Sequence, residues 1–119
     1  MKAENVILQK SKKFAVRIVK LYQHICDKKN EYVMSKQLYR SGTSIWANIK
    51  ESVYAQSVAD FINKMSIALK EAAETEYWLE ILHETGHLTD KEFNAIITDC
   101  IELKKMLTKI INSSKNNLP

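Results

Sequence analysis

The sequence predicts an all-α protein, an antiparallel up-down-up-down four-helix bundle, and three observations carry that expectation. First, its 119 residues include only two glycines, Gly42 and Gly86, and one proline at the terminus. Hairpins, sandwiches and phosphate-cradling loops need more of that punctuation, so sheets and Walker-type or Rossmann sites are excluded. Second, apolar residues recur every three or four positions through four consecutive segments, the period that gathers side chains on one helical face. Third, the breaks in that period coincide with capping signals. With 45% hydrophobic and 27% charged residues, the chain can bury a core and is not of disordered type.

Helix 1 is expected over about residues 4–28, where Ile7, Phe14, Ile18, Leu21 and Ile25 form the stripe and the Asp27–Asn30 cluster ends it. Helix 2 follows over about 31–55 and has a different character. Leu38, Ile45 and Ile49 give it a thin apolar line, beside which run Ser41, Gly42, Ser44, Ala47 and Ser52. Glycine inside a helix costs about 1 kcal/mol relative to alanine, so Gly42 implies an unusually close neighbouring axis. Helix 3, about 57–85, opens at Ser57 with Asp60 three residues on, a capping-box pattern. Its stripe is Ile62, Met65, Leu69, Ala72, Leu79 and Leu82. A second set, Phe61, Ala68, Tyr77, Trp78 and Ile81, widens the apolar surface enough to touch two neighbours. Helix 4, about 89–113, starts after the Gly86 C-cap at the box Thr89-Asp90-Lys91-Glu92 and buries Phe93, Ile97, Cys100, Leu103, Leu107 and Ile110. Rods of roughly 37 Å joined by short turns must run antiparallel, within one domain spanning 1–119.

Polar residues also keep a helical period on helix 2. Gln37, Arg40, Ser44, Asn48 and Glu51 form a stripe that is either a solvated face or a polar network between helices. In a network, Arg40 needs a carboxylate, for which Glu71 and Glu74 of helix 3 are the candidates, and Asn48 needs a backbone partner. Truncating Arg40 then costs roughly 3–5 kcal/mol if its partner is buried.

Charge is distributed unevenly. Residues 1–29 carry a net +6, residues 30–56 +1, residues 57–88 −4 and residues 89–119 +1. In an up-down bundle helices 1 and 3 lie on a diagonal, so the basic helix is not expected to be neutralised by direct neighbours. Lys10, Lys12, Lys13, Arg17 and Lys20 are therefore the candidate nucleic-acid-binding residues, facing outward to attract phosphate. With Arg17 and Arg40 the only arginines, binding is expected to follow the RNA or DNA backbone and to read little sequence. The bland alternative is that these lysines are merely the wet face of an amphipathic helix.

Other chemistries find little support. Glu80 and His83 have the ExxH spacing of di-iron bundles but lack a second independent motif, so no metal or other cofactor is expected. His83 and His87 are expected to complement the C-terminal end of helix 3, and His24 to be partly exposed. Ser41 and Ser44 have no nearby histidine to act as base, so no enzymatic activity is expected. Tyr77 and Trp78 are expected to pack in the core or between subunits rather than to stack on bases. Cys26 and Cys100 lack zinc-site spacing and are expected to be reduced thiols. No signal-peptide pattern and no segment of about 18 apolar residues is present, which points to a cytoplasmic protein without membrane contact.

The run Gln37-Leu38-Tyr39-Arg40-Ser41-Gly42-Thr43-Ser44-Ile45, with Ala47-Asn48-Ile49 and Glu51, resembles the signature of bacterial four-helix-bundle proteins encoded in 23S ribosomal RNA intervening sequences. Phe61, Lys64, Ile67-Ala68, Glu71-Ala72 and Glu74-Thr75-Glu76-Tyr77-Trp78-Leu79 resemble a second block of that family, and the similarity covers roughly residues 8–112. Trp46 and Ser52 depart from it, standing where small apolar residues are commoner. The resemblance implies a four-helix bundle assembled as a homopentamer, in which the basic patch would repeat as a ring. It also implies kinship with the accessory variability protein of diversity-generating retroelements, and hence RNA, DNA or a reverse-transcriptase-like protein as partner. The competing expectation is a structural or protein-interaction scaffold that binds no nucleic acid.

Overall fold

Each of the four apolar periods becomes a helix in the computed structural model, which describes residues 2–118, with side chains from Asn5 onward. Helix α1 spans Lys2–Lys29, α2 Met34–Ser52, α3 Val58–Glu84 and α4 Asp90–Lys115. Every helix packs against the next and α4 returns to α1, whereas α1–α3 and α2–α4 lie on the diagonals, where no Cα atoms of the described residues come within 8 Å and the helices meet only through core side chains. This is the expected up-down-up-down four-helix bundle, 50 Å long and about 20 Å across.

The turns show how local chemistry sets the boundaries. Asn30 adopts φ 54°, a left-handed conformation that asparagine tolerates better than most residues, and it ends α1. The Glu31 carboxylate then accepts hydrogen bonds from the backbone N–H groups of Val33, Met34 and Ser35 at 2.8–3.0 Å. These are donors that a new helix leaves unpaired, so α2 starts at Met34, later than residue 31. Its other end also falls short of residue 55. Val53, Tyr54 and Ala55 donate to carbonyls three residues back, a tightening that closes the last turn.

At α3 the Ser57 side chain accepts from Asp60 N, but the Asp60 carboxylate accepts from Gln56 N, so the box is displaced by one residue. The box at Thr89 and Glu92 is complete. Gly86 supplies φ 81° at the α3 C-terminus, and Leu88 N–H reaches back to the Leu82 carbonyl while its side chain is buried.

Ile7, Phe14, Ile18 and Ile25 of α1 meet Leu38, Ile45 and Ile49 of α2, Met65, Leu79 and Leu82 of α3, and Leu103 and Leu107 of α4 in the core. In α4 the buried position is Ile96; Phe93 and Ile97, expected in the stripe, flank it half-buried. The small residues of α2 do what their size implies. Gly42 lies against Ile18 of α1, and Ser41 Oγ sits 3.0 Å from Thr75 Oγ1 of α3, both fully buried. No buried side-chain N or O among the described residues lacks a partner.

Candidate nucleic-acid interface

The five basic residues singled out on α1 do not share one environment. Lys10, Lys13, Arg17 and Lys20 follow a helical period along the flank of α1 that borders α4, where two shallow grooves open between the helices. The facing flank of α4 carries Glu92, Asp99 and Glu102 at the same period. Lys10 Nζ bonds Glu102 at 3.1 Å, Arg17 pairs with Asp99 and donates to the Ala95 carbonyl, and His24 Nε2 meets Glu92 at 2.9 Å. Antiparallel packing produces this ladder, since each step down α1 is a step up α4. The expectation that the basic helix escapes neutralisation by its neighbours is thus corrected in part: α4 is nearly neutral overall, but its α1-facing flank is acidic.

Lys12 belongs to the opposite side of α1. Its ammonium lies 5.9 Å from the centre of the Trp46 ring on α2, within cation–π range, and it has no carboxylate partner among the described residues. Farther along the same seam Tyr22 of α1 and Tyr39 of α2 approach to 4.9 Å between ring centres. No Asp or Glu occurs between residues 5 and 26 or between 32 and 50, so this side of the bundle carries positive charge without its own counter-charge.

The polar stripe of α2 divides among its neighbours. Arg40 reaches across to α3, meeting Glu74 at 2.5 Å and Glu71 at 3.4 Å, and Glu74 also accepts from the Trp78 indole N–H at 3.1 Å. The hydrogen bond to Glu74 holds the Arg40 guanidinium above its ordinary pKa, and the same bond holds the Glu74 carboxyl below its own. Asn48 Nδ2 donates to the Ser44 carbonyl, and Ser44 Oγ to that of Arg40. Glu51 pairs with Lys64 of α3 at 2.8 Å. Both anticipated carboxylates are therefore the partners of Arg40. The network is interfacial, not buried, because the Arg40 side chain is 48% exposed. Helical spacing reveals Arg40 and the two glutamates; Trp78 and Lys64 are not visible that way, since their roles depend on the α2–α3 register.

Of the remaining candidates, His83 stands in the last turn of α3. Its ring stacks on Phe93 at 4.2 Å and bonds Asp90 at 2.6 Å, at the start of α4. His87 Nδ1 lies 2.9 Å from Thr85 Oγ1. Tyr77 is half-exposed and tilted against Trp78. Cys26 contacts Ser35 and Cys100 the Ala72 carbonyl, and both thiols are free. Among the described residues no three His, Cys, Asp or Glu side chains gather as a metal site, and no helix is long and apolar enough to cross a membrane.

The sequence model of the 23S rRNA-intervening sequence protein family matches residues 3–109. The chain belongs to that family. It is also similar to a crystal structure, at 1.70 Å, of a protein of unknown function from the S23 ribosomal protein family of Bacteroides thetaiotaomicron VPI-5482. The two share 55% identity and a TM-score of 0.91, over 92% of this chain and 98% of that one. A comparison with curated proteins finds no match. In this member of the family, stretches of α1 and α2 that hold no acidic residue between positions 5 and 26 or 32 and 50 stand beside an acidic α3.

Proposed function

We propose that this family member is a non-enzymatic, self-associating bundle, favoured as a pentamer, that binds RNA or DNA backbone, or a nucleic-acid-processing enzyme, in the cytoplasm. The observation that carries the reading is the segregation of charge. Between residues 5 and 26 and between 32 and 50, helices α1 and α2 present lysines and no acidic residue, while six carboxylates lie on α3 and Asp99 and Glu102 on the α1-facing flank of α4. A polyanion is attracted by the first surface and repelled by the second. The matching family is named for an intervening sequence of 23S rRNA, and the similar structure is assigned to the S23 ribosomal protein family with unknown function. Repetition of one modest patch around a closed oligomer multiplies its attraction without any new contact.

One observation favours a second reading. Lys10 and Arg17 already hold Glu102 and Asp99, which suits a protein-interaction scaffold whose lysines serve packing and solubility. Gel shift with structured RNA and with duplex DNA separates the two readings. The first expects a shift that the paired reversals Lys12→Glu and Lys13→Glu abolish while light scattering reports an unchanged oligomer. No shift with any nucleic acid at low salt supports the scaffold. Lys10 and Arg17 are poor choices for this test, since reversing them also breaks the α1–α4 ladder.

A further inference from the structure

The α1–α2 side of the bundle has a composition that the charge layout alone does not explain. Lys36, Tyr39, Thr43, Trp46 and Lys50 recur at intervals of three and four, a single outward stripe about 21 Å long on α2. Lys36 and Lys50 are exposed at its two ends, and the Tyr39 and Trp46 rings stand between them, 41% exposed and half-buried respectively. From α1, Lys12 rests over Trp46 and Val16 adds a half-exposed apolar side chain. Exposed rings set among lysines, on stretches of α1 and α2 that contain no acidic residue between positions 5 and 26 or 32 and 50, suit an occupant that is both anionic and flat-faced.

We propose that this face binds single-stranded nucleic acid, with phosphates drawn to Lys12, Lys36 and Lys50 and unpaired bases stacked on Trp46 and Tyr39. The inference rests on the nucleic-acid reading above and narrows it to single strands. A duplex keeps its base faces inside the helix, so it gains nothing from exposed rings, whereas an unpaired base offers its π-face to any aromatic side chain. The Lys12 ammonium has no carboxylate to leave, so a phosphate can take it from the Trp46 ring and free that ring for a base. The second aromatic pair makes the contrast. Tyr77 and Trp78 are also accessible, but the Trp78 indole is committed to the Glu74 carboxylate, and the helix that carries both rings has six acidic residues against two lysines.

The test uses the full chain carrying Trp78→Phe, so that Trp46 is the only tryptophan, titrated with oligothymidylate, oligouridylate and a hairpin duplex of matched charge. The proposal expects quenching of Trp46 fluorescence by the single strands and tighter binding of them than of the duplex. Replacing Trp46 and Tyr39 by leucine should then weaken single-strand binding about tenfold and leave duplex binding nearly unchanged. Circular dichroism verifies the fold, and Tyr39→Leu alone serves if the double variant unfolds. Equal affinity for both forms, indifferent to the rings, overturns the inference and leaves backbone binding standing. Absence of all binding overturns both. A drop in oligomer mass on substituting the rings, without nucleic acid present, also overturns it by making the face a contact between copies of the chain.

Discussion

Gly42 of α2 faces Ile18 of α1 so closely that a Cβ at position 42 would stand 2.8 Å from both γ carbons of the isoleucine. Ile18 is fully buried and β-branched, so it has little freedom to yield. Gly42→Ala gains about 1 kcal/mol of helix propensity but overpacks the contact by roughly 1–3 kcal/mol, giving a net loss of about 1 kcal/mol. Thermal melting should fall by about 5 °C. In a double-mutant cycle with Ile18→Ala, which removes both γ carbons, the pair should destabilise less than the sum of the single changes. Additive losses would show that the two helices are not held apart by this contact.

Arg40→Ala should cost about 1 kcal/mol, well below what a buried pair would lose, because water screens an ion pair whose arginine is half-exposed. Chemical denaturation measures the difference. A loss of several kcal/mol would mean that another surface covers Arg40, as an oligomer contact along the α2–α3 seam would do.

Acid should weaken the fold through identifiable carboxylates. Hydrogen bonding from Thr89 N–H holds Glu92 below its ordinary value of 4.5, aided by His24. Glu31 is raised by partial burial but lowered more by three backbone N–H groups, and ends below 4.5 as well. A carboxyl with a depressed folded-state pKa stabilises the protein above its unfolded-state value, and that contribution disappears as pH falls through the folded-state value. Melting temperature should therefore decline as pH drops below about 4.5, less steeply for Glu92→Gln and for Glu31→Gln than for the parent. A parent profile flat down to pH 3 would contradict these roles.

Burial, with Glu76 adding to it, pushes the Cys100 thiol up to about 12. Cys26 is only partly buried. Thiol reagents at neutral pH should label Cys26 in the native protein and reach Cys100 only on unfolding, with labelling read by mass spectrometry. Equal rates would place Cys100 nearer the surface than the packing allows.

These relationships differ in how far the amino-acid order reveals them. Thr89 and Glu92 are neighbours in sequence, so their box is directly legible. Gly42 announces a close neighbour, though not that the neighbour is Ile18. The Glu31 cap is invisible in the sequence because a glutamate outside the helix, in place of a short polar N-cap residue, takes up the free N–H groups. Arg40 finds its partners by period alone, since α3 offers two carboxylates one turn apart. The α1–α4 ladder is hidden for a different reason. Net charge averages around a helix, and the near-neutral sum for α4 conceals an acidic flank that only the antiparallel register brings against Lys10 and Arg17.

The salt dependence of nucleic-acid affinity, measured by fluorescence anisotropy on the parent and on Lys12→Glu/Lys36→Glu, tests the cationic surface most directly. The parent should lose affinity linearly on logarithmic axes as salt rises, and the double variant should bind more weakly with a slope shallower by about 1 to 2. An affinity independent of salt, or one that both proteins share, would contradict a role for this surface in holding nucleic acid.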